Sequence, residues 1–469
     1  MATIDLGKIK LLWRGTYNNG TAYAVDDVVE YTDTAITSTY ICTAASTGNA
    51  PSSGGTAHGS WDYMAKGAAG TPTTTRGDII RRGASADERL AKGTEGHILT
   101  MGANDPAWAA PAAGGSNANL IINGDGDICQ RRDTQTAVSN STNEGYYCWD
   151  RWATFITGGS SGVATLTRST DSPAHPNPKF GSCLKVSPTT ADTSVDADAF
   201  WSVYQAIEAQ VVRGSGWDYS NTSSNLTLSF WVKSSKTGTH CVWFETADGT
   251  AYWLVKEYTV SSAGTWEKKS ITIPGHASLQ IDHNDGRGLL VGFVLQAGTD
   301  WQKAADSWTT GTDYATSNQV NIFDSTSNDF YLTGVKLEFG DTATDWQFED
   351  HMTKLNKCRR YFQKQVVGVR VGPTGGSWNN TESGCVAYLQ PSMRAAPSFA
   401  HSGTAADYLW QKGDGANGYE TVSALAIGTG VTTEFCRLET THSGNTNTGQ
   451  VGWLSAASGT EPLYFSAEI

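Results

Sequence analysis

Residues 226–234 read LTLSFWVKS. Leu226, Leu228, Phe230 and Val232 recur at every second position, the period of a strand with one buried face. The same signature returns at 120–123, 162–168, 182–187, 200–208, 240–246, 251–260, 265–273, 288–296 and 329–339, with turns rich in Gly, Asn, Asp and Ser between. About ten strands with inward alternation predict a β-sandwich, and the jelly roll suits that strand number. A long insertion at 297–321 carries Trp301, Trp308 and Tyr314.

Upstream, residues 1–66 hold Trp13, Tyr17, Tyr23, Tyr31, Tyr40, Trp61 and Tyr63 among short alternating runs and an Asn18-Asn19-Gly20 turn. So short a β module buries little, so most of these rings are expected to form its core and a few to stay exposed. Residues 67–76, GAAGTPTTTR, have linker composition. Residues 77–116 are patterned yet poor in large apolar side chains. Their strand candidates at 78–82 and 97–101 cannot make a stable sheet alone. Ile79, Ile80, Leu90, Ile98, Leu99 and Trp108 are therefore expected to complete a core with other copies of the chain.

Downstream, EDHMTKLNKCRRYFQK (349–364) is the best helix candidate. Met352, Leu355, Cys358 and Phe362 fall on one face, and basic residues fill the later turns. Residues 365–469 return to β patterning, at 366–371, 384–389, 421–427, 435–440 and 463–468. The expected organisation is mainly β: a small module (1–66), a linker and stalk (67–116), a jelly-roll sandwich (117–350), and a helix followed by a C-terminal β domain (351–469).

Composition narrows the function. Charged residues make up 17% of 469, against roughly a quarter in ordinary domains. Glycine (51) and tryptophan (17) are abundant, which suits tight turns and aromatic contacts. The net charge of −13 comes with no Lys/Arg-rich patch, so no nucleic-acid partner is expected. No apolar run has the length of a membrane span, and the N-terminus lacks a signal-peptide core; neither membrane insertion nor classical export is expected. The eight cysteines are widely spaced without a C-x-x-C pair, which argues against a zinc site; a disulfide framework is the alternative to the free, half-buried thiols expected of a chain too long to need staples.

No H-E-x-x-H, G-x-S-x-G or P-loop occurs. Ile281-Asp282-His283-Asn284-Asp285-Gly286 has calcium-type ligands, but their spacing is compressed for an EF-hand and suits a turn better. Asp192, Asp196 and Asp198 lie close together in a Ser/Thr-rich loop, and the stacked repeats of a β-helix are missing. No catalytic residue, metal or cofactor is expected, and the protein is read as a binder and not an enzyme.

Several phrases carry a family resemblance. Trp13, Tyr17-x-x-Gly20, Asp27-Val28-Val29-x-Tyr31, Tyr40-Ile41-Cys42, Gly48-x-x-Pro51 and Trp61 resemble the small chitin-binding-type carbohydrate-binding modules. The GDI-RRG…GHILTMGANDPAWA wording resembles a stalk segment of tailed-phage fibres. Asn119-Leu120-Ile121-Ile122-Asn123-Gly124, Cys129-Gln130-Arg131, Trp149-Asp150-Arg151-Trp152, Ser229-Phe230-Trp231-Val232-Lys233, Gly334-Val335-Lys336-Leu337-Glu338-Phe339-Gly340 with Ala343-Thr344, Cys358-Arg359-Arg360-Tyr361-Phe362 and Met393-Arg394-Ala395-Ala396-Pro397 resemble phage fibre and receptor-binding proteins.

The resemblance implies a homotrimeric virion fibre, held to other virion proteins by its N-terminal module and recognising host-surface glycan. A fibre on the capsid head, or a glycan-degrading tailspike, are the alternatives. Aromatic rings stack on sugars, so the expected glycan contacts are Trp13, Tyr40, Trp61, Trp301, Trp308, Trp378, Tyr408, Trp410 and Trp453.

Overall fold

The computed structural model describes residues 11–68, 74–84, 86–95, 97–101, 105–109, 118–141, 145–174, 180–413, 418–444 and 446–469. The chain forms two compact units, 1–112 and 113–469.

The first unit opens with a four-stranded sheet in the order Leu12–Thr16, Asp27–Asp33, Ile36–Cys42, Trp61–Ala65. Tyr23, Val29, Tyr40, Cys42 and Trp61 are its core, with Tyr17, Tyr31 and Tyr63 packed against them. So small a core is filled by rings whose polar ends still find partners: Tyr40 Oη meets Ser52 Oγ at 2.6 Å, and Trp61 Nε1 donates to the Asn49 carbonyl at 3.1 Å. Asp33 and Ile36 close a two-residue hairpin over Thr34 and Ala35, both at positive φ (49° and 66°).

Two antiparallel ladders follow, Ile79–Arg82 with Asp87–Leu90 and Ile98–Met101 with Pro106–Ala109. Ile80, Ile98 and Leu99 are exposed, whereas Ile79, Leu90 and Trp108 are half-buried within the chain. Trp108 lies over Gly93 and donates Nε1 to the Ala91 carbonyl at 2.7 Å. Of the six expected stalk contacts, three are thus partly used up internally. Residues 110–117 of that stretch lie outside the described residues.

The second unit begins with a sandwich of two six-stranded sheets. One runs Thr134–Val138, Val163–Ser169, Cys183–Thr190, Phe330–Phe339, Asn225–Ser234, Glu267–Pro274; the other runs Gly145–Tyr146, Ala153–Thr157, Phe200–Glu208, Arg287–Ala297, Gly238–Thr246, Tyr252–Val260. Every pairing in them is antiparallel, and the chain passes repeatedly from sheet to sheet, as in a jelly roll. Leu226, Leu228, Phe230 and Val232 point into the core together with Val291, Phe293 and Leu295 of the facing sheet.

Three expectations change. Residues 120–123 form no strand: Asn123, at φ 57°, turns the chain and bonds through its side chain to the backbone of Ile128 and Asp150. The insertion folds back over the second sheet, where Trp301 and Tyr314 pack on Phe200. The helix is shorter than expected, His351–Arg359, and a second short helix, Ala209–Gly214, lies where none is expected. In His351–Arg359 the buried side chains are Lys354 and Cys358; Met352 is exposed and Phe362 already begins a strand. Lys354 drives the docking, since its Nζ lies 2.5 Å from Asp125 and 2.7 Å from Asp127.

Beyond the helix, Phe362–Gly368, Thr460–Ser466 and Ser398–His401 form a three-stranded sheet. Thr374–Ser377, Glu382–Tyr388, Phe435–His442, Tyr419–Ile427, Tyr408–Lys412 and Val451–Ala456 close a barrel in that order. Tyr408, Trp410, Leu438 and Leu454 fill its interior.

Sandwich and barrel region are joined by the phrases that carried the resemblance. Arg151 of Trp149-Asp150-Arg151-Trp152 pairs with Glu468 and lies 3.5 Å over the Tyr361 ring. Arg131 reaches Glu468 at 3.1 Å and lies 3.6 Å over the Phe362 ring. Glu208 accepts from Arg360 at 2.7 and 2.9 Å, and from Tyr361 at 2.5 Å. Arg394 holds the carbonyls of Asp285, Ala467 and Glu468. These charges leave water for one another, which fixes register more than it adds stability.

Candidate functional site

The alternation that sends Phe230 and Val232 inward sends Ser229, Trp231 and Lys233 onto the outer face of the first sheet. There Trp231 stands between Thr333 and Lys268 on its two neighbouring strands, and Ser229 between Lys336 and Ser270. Gly334, at φ 60°, sits where the register shifts, and a Cβ there would come within 2.5 Å of the Phe180 ring. Only glycine serves at this point: the backbone needs a left-handed residue and the ring needs the space.

A strap then crosses this face. Thr344 donates its backbone N–H and its hydroxyl to the Glu338 carboxylate, at 2.8 and 2.6 Å. Lys336 bonds the Thr344 hydroxyl, reaches the Asp345 carbonyl at 3.2 Å, and pairs with Glu338 at 3.0 Å. The strap holds Trp346 edge-on to Phe180 at 5.2 Å, with Phe348 5.9 Å from the same ring. Between strap and sheet opens a cleft of about 460 Å³, with Ser229, Trp231 and Lys268 along its floor and Asp345, Trp346 and Phe348 along its wall.

The same face continues past the cleft. Lys233 Nζ lies 4.0 Å from the Tyr331 ring centre and 5.4 Å from that of Trp266. Trp266 Nε1 donates to Asp171 at 3.1 Å. Burial pushes the Asp171 carboxyl up, but the hydrogen bonds from Lys233 and Trp266 outweigh it and hold the group below the usual carboxylate range. Lys185 pairs with Asp329 at 3.1 Å; burial pulls its ammonium down, and Asp329 and Tyr331 outweigh that, raising it above the usual lysine value. The result is a surface of flat rings interleaved with fixed hydrogen-bonding groups, the combination that recognises a ring with an apolar face and polar edges.

None of the nine aromatic residues singled out from the sequence lines this cleft. Trp13 is 56% exposed on the outermost strand of the first unit. Tyr40 and Trp61 are core residues there, and Tyr408 and Trp410 are fully buried in the barrel; none of these four offers a ring face to a ligand. Trp301 and Trp308 are half-buried, their indole N–H groups bonded to the carbonyls of Asp198 and Pro274. Trp453 is half-buried on the barrel wall, beside Gln411 and Thr374. Trp378 is 42% exposed, lying over Gly384 with the Arg437 guanidinium 5.2 Å from its ring.

Sequence reasoning missed Trp231, Trp346, Phe348, Trp266 and Tyr331. The usable signal was a tryptophan at an outward position of an alternating strand, where a polar residue is the norm. The carboxylates near Asp192 have structural partners: Asp192 accepts from Ser161 N and Gln296, and Asp198 from Gly159 N. Asn284 caps its own turn by accepting from Gly286 N. All eight cysteines are free thiols.

No family model matches the chain, and no curated protein matches it. Several solved structures show likenesses. One is the enzymatically active domain of tailspike protein 4 of bacteriophage CBA120, at 14% identity and TM-score 0.25, over 47% of this chain and 21% of that one. Another is the family 11 carbohydrate-binding module of cellulase Lic26A-Cel5E of Clostridium thermocellum, at 14% identity and TM-score 0.23, over 41% of this chain and 90% of that one. A CBM4 structure aligns at 14% identity and TM-score 0.23 over 47% of this chain and 99% of that one. The chain thus spans about a fifth of the length of that tailspike domain. At these TM-scores the likenesses carry no argument about function.

Proposed function

We propose that the protein is a fibre subunit of a tailed-phage virion that binds host-surface glycan without cleaving it. The observation that carries the reading is the strapped cleft, which Trp231, Trp346 and Phe348 line beside Lys268, Ser229 and Asp345. Pyranose C–H faces stack on such rings while the polar groups bond the hydroxyls. The phrases that resemble phage fibres support the virion role, and they contribute to the cleft: Ser229 and Trp231 lie on its floor, and Lys336, Glu338 and Thr344 tie its strap.

Ile80, Ile98 and Leu99, exposed on ladders too small to bury them, support a homotrimer assembled through the first unit. A single cleft binds weakly, and three per fibre give the avidity that adsorption needs. The test is affinity electrophoresis of the purified protein through gels containing host polysaccharide, paired with a reducing-end assay. Retardation that Trp231→Ala weakens about tenfold, with no reducing ends released, is expected. Equal retardation of the variant removes the cleft from the reading, and release of reducing ends replaces the fibre with a depolymerase.

A further inference from the structure

A second opening, of about 420 Å³, lies where the edge of the sandwich meets the three-stranded sheet. Its floor is one face of that sheet. Phe362, Ser466 and Ser398 stand in one cross-strand row, and Tyr464 and Ala400 in the next row on the same face. Phe362 and Tyr464 are stacked, 5.9 Å between centres at 23°. The opposite wall comes from the sandwich: Arg131, Arg132, Gly145 and Tyr146. The volume falls within the roughly 300–1,000 Å³ of small-ligand sites.

The lining of this groove runs against the net charge of the chain. The protein carries a net −13, yet among the described residues lining the groove are two arginines and no carboxylate. Arg131 is committed to the junction, paired with Glu468 at 3.1 Å and Asp150 at 3.6 Å. Arg132 is not so bound. It is exposed, and its guanidinium donates to a neutral acceptor, the Gln135 amide oxygen, at 2.6 Å. A guanidinium with donors to spare matches a carboxylate in a planar, two-bond fork.

We infer that this groove binds an acidic sugar residue, with its carboxylate on Arg132, its C–H face on the half-buried Tyr464 ring that Phe362 backs, and its hydroxyls toward Ser398 and Ser466. The hydroxyl-lined floor selects a sugar over a bare aromatic acid, and the Arg132 guanidinium selects an acidic sugar over a neutral one. The site is separate from the cleft on the first sheet, so it stands or falls independently of that reading.

Saturation-transfer NMR and titration of the full chain with methyl glucuronide, methyl glucoside and benzoate test it. The glucuronide is expected to bind in the millimolar range, at least tenfold more tightly than the other two. Arg132→Gln, a surface change, is expected to weaken it at least fivefold, and Tyr464→Ala comparably. Binding of glucoside or benzoate as tight as that of glucuronide overturns the assignment. So does unchanged binding by Arg132→Gln, or no saturable binding to the native protein.

Discussion

Arg151 and Glu468 stand 317 residues apart in sequence and form a buried ion pair that joins the sandwich to the end of the last strand segment. Arg151 is 1% exposed at its side chain and Glu468 6%. Removing one partner strands the other charge out of water, which costs about 3–5 kcal/mol. Arg151→Met or Glu468→Gln is therefore expected to lower the denaturant midpoint of the second unit substantially. The double variant should recover part of the loss, because it leaves no uncompensated charge. Additive losses in the double-mutant cycle would show that the two residues do not act as a pair.

Asp150, next to that pair, gives the junction a pH dependence of unusual sign. Burial raises its carboxyl from the ordinary 3.8 to about 6, against the opposing pull of Arg131 and Gln130. The folded protein therefore holds this proton between about pH 4 and 6 while the unfolded chain has released it. Stability from this group is present at low pH and is lost as pH rises through 6. The difference in stability between the native protein and Asp150→Asn should shift in favour of the native protein as pH falls from 6 to 4. Unfolding curves at pH 4.5 and 7 measure it, and a shift of the opposite sign refutes it.

Trp410 and Trp231 are both tryptophans within strands, Tyr408–Lys412 and Asn225–Ser234, and they are expected to behave in opposite ways. Trp410 is fully buried among Tyr408, Leu438 and Leu454. Trp410→Ala should destabilise the second unit by about 3–5 kcal/mol, as large-to-small changes in a core do. Trp231→Ala should leave thermal stability nearly intact and weaken glycan retention about tenfold, equivalent to ~1.4 kcal/mol. Melting curves and gel retardation on the same two preparations separate the roles.

That contrast marks where the sequence is legible. Alternation at 226–232 specifies a strand and a face, because side-chain direction has a period of two, and the sandwich follows from its repetition. Alternation does not say which side of a strand is enclosed when both sides carry rings. Trp410 is inside only because six strands separated by up to 82 residues close into a barrel between Thr374 and Ala456, and closure is a long-range property. Trp346 and Phe348 sit in no regular element, so no period marks them; the Thr344 tie to Glu338 places them. The apolar run at 120–122 imitates a strand, and Asn123 overrides it through local side-chain bonds to backbone.

The hairpin at Thr34 and Ala35 uses left-handed backbone at both positions without glycine. Such a conformation costs a residue with a Cβ about 1–2 kcal/mol, and two-residue hairpins ordinarily meet that need with Asn-Gly. Ala35→Gly is expected to stabilise the first unit by about 1 kcal/mol, less the extra entropy of glycine in the unfolded chain. Its effect belongs to residues 11–68 alone, so the unfolding transition of the second unit should not move. A lower melting temperature for the first unit would show that the turn is not strained.

Ile80, Ile98 and Leu99 make the assembly claim local. Each is exposed, at 45%, 50% and 48%, on ladders of two strands that are marginal by themselves in water. Trp108 is already engaged with Gly93 and the Ala91 carbonyl, so substituting it would confound folding with association. Replacing Ile80, Ile98 and Leu99 with serine removes exposed apolar surface from the ladders. Light scattering should then report dissociation of the trimer to monomer at micromolar concentration. Circular dichroism in the β region and the melting of the second unit should stay as in the native protein, since no side chain of the sandwich core changes. A native protein that already scatters as a monomer, or a triple-serine variant that stays trimeric, would move the assembly interface away from residues 77–109.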